Sequence, residues 1–245
     1  EAETNAGWCL PEGQLAIAGI QVARTIYDTL VQPDESGKMV PMLAESIEPN
    51  DAFDEWTLKI REDVKFHDGT DLTAEVVKNN LDAYRGQYAG RKPLLFIFVL
   101  DNIDTVEATD ASTVKITTKK PWPALPSFLF SSGRLGIMAQ AQLDNADNCD
   151  KDLIGTGPFK LKDWKVNDKF VADKNPDYWQ TDADGNALPH LLPVDPTLHW
   201  ANPPGGMMGR DTRPSFDTTP EPYTGPVPIV SHLHGAVDVG DESDG

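Results

Sequence analysis

With 245 residues the chain is long enough to bury a sizeable core in one or two domains, and a hydrophobic content of 39% fits a globular protein rather than a disordered one. Acidic residues outnumber basic ones 39 to 21, for a formal net charge of −18. Nucleic acid and anionic membrane surfaces repel such a chain and are excluded as partners, which leaves a solvated acidic surface.

The opening EAETNAGWCL lacks a basic segment followed by an apolar one, so either a leader has been removed or the protein is cytosolic. A helix is expected from about Leu15, with Ile17, Ile20, Ala23, Ile26, Tyr27 and Leu30 close to one helical stripe. QPDESGKMVP then breaks it at a turn. EWTLKIRED alternates, with Trp56, Leu58 and Ile60 on one face, as a half-buried strand does. FHDGT is a turn on Asp68-Gly69, with His67 a turn residue rather than a ligand. Thr73 is placed to cap a helix whose apolar face holds Val76, Val77, Leu81 and Tyr84. The most apolar run, PLLFIFVL at 93–100, is far shorter than the roughly 20 residues of a membrane span, so no span is expected.

STVKITTKK is a second alternating strand. WPALPSFLFS carries two prolines and reads as a loop or a short, late-starting helix. Trp122 at its start suits core packing or the lining of a solute pocket. Arg134 in SSGRLG suits the surface or a pair with a substrate carboxylate. GTGPF is not a phosphate loop, because no lysine follows; Gly155 and Gly157 suit a tight crossing between lobes. FKLKDWKVNDKFVADKN reads as a hairpin turning at Asn167-Asp168. Interleaved helices and alternating strands give a mixed α/β (α+β) fold with sheets exposed on one face.

Cys9 and Cys149 form no CxxC pair. One disulfide in an exported protein is the favoured reading, against two unrelated buried thiols.

Composition shifts near Ala187: the last 59 residues hold ten of the twenty prolines, seven glycines and only two basic residues, Arg210 and Arg213. No periodic pattern follows, as in a loop or an extended segment.

The stretches IYDTLVQPDESGKMVPMLAESIEPND, EWTLKIREDVKFHDGTDLTAEVVKNNLD, IGTGPFKLKDW and KNPDYW resemble, in order and spacing, the bacterial extracellular solute-binding proteins of family 5, the peptide/nickel type that feeds ABC importers. The resemblance covers residues 1–186. It implies part of a class II periplasmic-binding-protein-like lobe and an extracytoplasmic protein: periplasmic, cell-surface or secreted. It also implies a small peptide or similar solute, importer membrane subunits as partners, and no enzymatic activity. EAET resembles the end of the family's first strand, and after KNPDYW the family continues for about as long again, so the resemblance leads to the expectation of a clamp with half missing.

LPHLLPVDPTLHW and PIVSHLHGAVDVGDESDG, within 187–245, resemble the first cupredoxin domain of bacterial multicopper oxidases. On a strand, residues i and i+2 point the same way, so His-x-His aims two imidazoles at one metal. The resemblance assigns His232 to type 2 and His234 to type 3 copper; a separate reading is opportunistic binding of one divalent metal by the pair, with Asp238 and Asp241 as weak helpers. An oxidase needs four such motifs and a cysteine among them; one motif is present and no cysteine follows Cys149. The expectation is therefore a partial solute-binding component that requires no cofactor. The alternative is a laccase-like copper-oxidase fragment that acts only when another chain complements it.

Overall fold

The computed structural model describes residues 7–13, 15–165 and 169–181, all within one unit, Glu1–Leu192. The turn at Asn167-Asp168, the cupredoxin-like segment, His232 and His234 lie outside the described residues.

Alternation decides the central sheet. In β4 (Glu55–Ile60) Trp56, Leu58 and Ile60 are buried while Thr57 and Lys59 face solvent. In β6 (Thr113–Thr118) Val114, Ile116 and Thr118 are the buried set. The two strands pair antiparallel, with Trp56 opposite Ile116 and Leu58 opposite Val114, so their apolar faces coincide. The edges are β3 (Ala44–Pro49) and β5 (Ile103–Ala108), giving the antiparallel order β3-β4-β6-β5.

One helix covers the buried face. α2 (Ala74–Tyr84) starts where the sequence places its cap: Thr73 Oγ1 accepts from the Val76 N–H at 3.3 Å. Val77, Leu81 and Tyr84 are buried, and the helix packs on β5 and β6. Tyr84 meets Phe96 edge-to-face at 5.2 Å, which anchors the one-turn α3 (Phe96–Val99).

The other elements surround this layer. α1 (Ile17–Ile26) is shorter than expected: Tyr27 is already extended and Leu30 precedes the strand β1 (Val31–Pro33). Both residues remain buried, so the apolar signal was correct and the helical period was not. The helix ends there because the Ile26 carbonyl accepts from the Gly157 N–H at 2.9 Å, a partner 131 residues away (157 minus 26). β1 pairs with β2 (Met39–Pro41) around the predicted turn. α4 (Leu125–Phe130) carries Pro126 in its first turn, where no N–H is needed, and therefore starts late, as the prolines imply. α5 (Gln140–Asp144) precedes β7 (Phe159–Lys165) and β8 (Lys169–Lys174), the expected hairpin. The fold is mixed α/β.

Candidate functional site

Two groups of polar side chains organise the unit. The first centres on Asp28, which is 3% exposed. Its carboxylate accepts from Thr156 Oγ1 at 2.9 Å, Tyr178 Oη at 3.2 Å and Trp179 Nε1 at 2.9 Å. Burial pushes the carboxyl pKa up, and the three donors, Trp179 foremost, pull it back. Arg61 lies over the Trp179 ring at 4.8 Å and donates to the Met42 carbonyl at 2.8 Å. Segments 26–51, 154–164 and 174–179, which carry the family resemblance, therefore meet at one buried carboxylate.

The glycines of GTGPF make this closure possible. A Cβ on Gly155 would sit 2.0 Å from the Ile26 carbonyl oxygen, and one on Gly157 would sit 2.6 Å from the Ile26 carbonyl carbon. The expected tight crossing is here a crossing of the glycine loop against the end of α1. His67 is more than a turn residue. Its Nδ1 accepts from the Gly155 N–H at 3.3 Å, so its Nε2–H donates to the Gly157 carbonyl at 2.9 Å. Burial first, then the charge of Lys160, hold the imidazole below its ordinary pKa, against the Gly157 bond and Asp68.

The second group gathers on residues 7–15. Cys9 and Cys149 are bonded, with their Cα atoms 5.1 Å apart. The Trp8 N–H donates to the Asp150 carbonyl at 3.0 Å, and the Trp8 ring meets Trp164 and Phe170 edge-on at 5.8 and 5.5 Å. Arg91, 7% exposed, places Nη1 3.1 Å from Cys9 Sγ and 3.5 Å from Glu12 Oε1, and its Nη2 donates to the Asn145 carbonyl at 3.3 Å. The Leu94 N–H donates to the Pro11 carbonyl at 3.3 Å. Leu94, Leu95 and Phe98 follow at 47%, 45% and 80% exposure.

Arg134 reaches the same segment: its Nε donates to the Leu15 carbonyl at 3.3 Å. Among the described residues its Nη groups have no partner. Trp122 is half-buried; its ring lies 4.8 Å from Phe128 in α4, and its N–H donates to the Phe53 carbonyl at 2.7 Å. Arg134 and Trp122 thus flank α4 without a contact between them.

Sequence reasoning missed Arg91 and Glu12. No local pattern marks a buried arginine whose partners lie 54 to 82 residues away. The Arg91 Nη donors are taken up inside the fold, whereas the Nη groups of Arg134 have no partner among the described residues and are of a kind that suits a carboxylate. Among the described residues no cluster of three or more His, Cys, Asp or Glu is placed to hold a metal, and no helix is long and apolar enough to cross a membrane.

Comparison with known proteins bears on the whole unit. Residues 38–194 match the family described as bacterial extracellular solute-binding proteins, family 5 Middle. The chain is 35% identical over 159 residues to the glutathione-binding protein GsiB of Escherichia coli K12, covering 65% of this chain and 30% of that protein. It is similar to AgaA of A. tumefaciens R10, solved with agropinic acid: 33% identity, TM-score 0.60, 67% of this chain and 33% of that one. It is also similar to the oligopeptide-binding protein AppA of Bacillus subtilis, solved with a nonapeptide: 26% identity, TM-score 0.58, 68% and 34%. The chain spans about a third of the length of the relatives it matches. The match supplies no link to a multicopper oxidase.

Proposed function

Because this chain belongs to the bacterial extracellular solute-binding proteins of family 5, we propose that it forms part of the binding component of an ABC import system. It works outside the cytoplasmic membrane, hands a small peptide or peptide-like solute to importer membrane subunits, and catalyses no reaction. The observation that carries this reading is the family match over residues 38–194, on a fold shared with solved binding proteins. The bonded Cys9 and Cys149 fit an oxidising compartment.

The peptide class is favoured by the similar proteins, named for glutathione or solved with a nonapeptide. The site is consistent with it: the Nη groups of Arg134, without a partner among the described residues, offer paired donors to a carboxylate. Trp122, beside Phe128, is the second proposed solute contact.

Isothermal titration of the purified chain with glutathione, trialanine and agropinic acid tests the reading. Saturable binding of at least one, weakened at least about tenfold by Arg134→Ala, is expected from the loss of a charge-assisted pair. No heat from any of the three at millimolar concentration would overturn it.

A further inference from the structure

A cleft of about 600 Å³ opens on the outer side of β5, between that strand and the ends of α2 and α3. β5 is the last strand of its sheet, with no strand beyond it among the described residues. Such an edge presents unpaired backbone groups and is a template for another strand.

The cleft already holds one example of the chemistry that satisfies this edge. Arg85 Nη2 donates to the carbonyls of Ile103 at 3.1 Å and Asp104 at 2.6 Å, capping the first two residues of the strand. Residues 105–108 continue the edge past that cap.

Charge sets what fits there. The lining carries four carboxylates, Asp82, Asp101, Asp104 and Glu107, against two cations, Arg85 and Lys119. Both cations are engaged: Arg85 pairs with Asp82 at 3.0 Å and Lys119 with Asp101 at 3.2 Å. Asp104 and Glu107 are exposed, and their carboxylates have no partner among the described residues. Next to them Ile97, 41% exposed, offers an apolar wall.

We propose that the β5 edge docks an extended segment of a partner protein in which basic and apolar residues alternate, added as a fifth strand. Backbone hydrogen bonds to the outward-facing groups among residues 106–108 give the affinity, and lysine or arginine side chains meet Asp104 and Glu107. A second copy of this chain is disfavoured by its net charge of −18. The interaction is separate from solute recognition and uses none of the residues assigned to it.

The test is fluorescence anisotropy with a labelled peptide of alternating lysine and valine, long enough to lie along the six residues of β5. Saturable binding is expected. It should weaken by at least about tenfold in Asp104→Lys/Glu107→Lys, where attraction becomes repulsion. It should vanish when alternate peptide nitrogens are methylated, because the added strand then loses its donors. Circular dichroism checks that the double variant is folded; both positions are exposed. Equal binding of the methylated peptide, equal binding to the variant, or no binding at millimolar peptide would each overturn the proposal. So would self-association that the variant abolishes, which would give the edge to a second copy.

Discussion

Trp179 donates its indole N–H to Asp28 across 151 residues of sequence, at 2.9 Å. With Thr156 and Tyr178 it makes Asp28 the single acceptor for three separate side chains. Asp28→Ala strands those donors and should cost about 3 kcal/mol, on the order of 1 kcal/mol for each. Trp179→Phe keeps most of the ring and removes one donor, for about 1 kcal/mol. Asp28→Asn should fall between wild type and Ala, because burial already favours the neutral form. Urea unfolding of the three variants measures this; an Ala variant as stable as wild type would remove the network from the account.

Acid stability follows from His67. The folded protein holds this imidazole neutral, with its pKa lowered, while in the unfolded chain it protonates near the ordinary value of about 6.5. The unfolded state therefore takes up the proton first. Stability contributed by His67 is full above about pH 6.5 and falls as the pH drops from there to its lowered folded value, at up to about 1.4 kcal/mol per pH unit. Asp28 acts in the opposite sense: its raised pKa lets the folded state bind the proton first, so it adds stability as the pH falls through that value. His67→Gln should flatten the loss just below pH 6.5 without altering the Asp28 contribution, as read from unfolding midpoints between pH 7 and 5.

The glycine crossing is sensitive to a single methyl group. Gly155→Ala places a carbon 2.0 Å from the Ile26 carbonyl oxygen, and backbone rather than a mobile side chain must give way. The expected cost is about 1–3 kcal/mol or more. Gly37→Ala serves as a contrast, since nothing lies within 4 Å of its added carbon, although its φ of +83 carries a backbone strain of its own. Thermal unfolding should rank Gly155→Ala well below Gly37→Ala.

Reduction tests the bond between Cys9 and Cys149. Their separation of 140 residues gives about 5 kcal/mol in the chain-entropy account. Cys9→Ser/Cys149→Ser should lower the urea midpoint by a corresponding amount. Since Arg91 would remain beside position 9, adding Arg91→Met to the serine pair should change stability by a different amount than it does in the bonded protein.

Copper chemistry meets the same two residues. The chain has two cysteines and both are bonded, so it offers no thiolate for a type 1 site. Copper loading should leave the purified chain without intense blue absorption, and phenolic substrates unoxidised. Turnover that survives chelation and disappears in His232→Ala would reverse this.

The strands β4 and β6 and the start of α2 were legible because their signals are local. Alternation at Trp56, Leu58 and Ile60 and the cap at Thr73 need no knowledge of the rest of the chain. The end of α1 was not legible, because the group that captures the Ile26 carbonyl lies on Gly157. The run PLLFIFVL was legible as apolar, but only Phe96 and Leu100 are deeply buried, while Phe98 is 80% exposed. Of the candidate site, Arg134 and Trp122 were picked by residue type. Arg91 was invisible because a cation enters the interior only where Cys9, Glu12 and Asn145 converge.

The three-donor clamp on Asp28 also sets an order of events. Its donors stand at positions 156, 178 and 179, so a chain emerging from its N-terminus carries an unsatisfied carboxylate until the last of them arrives. The closing loops are long, and long loops close slowly and late. The hydrogen bonds that satisfy Asp28 therefore cannot be completed until residues 178 and 179 have been made, which places the closing of this network among the last steps of folding.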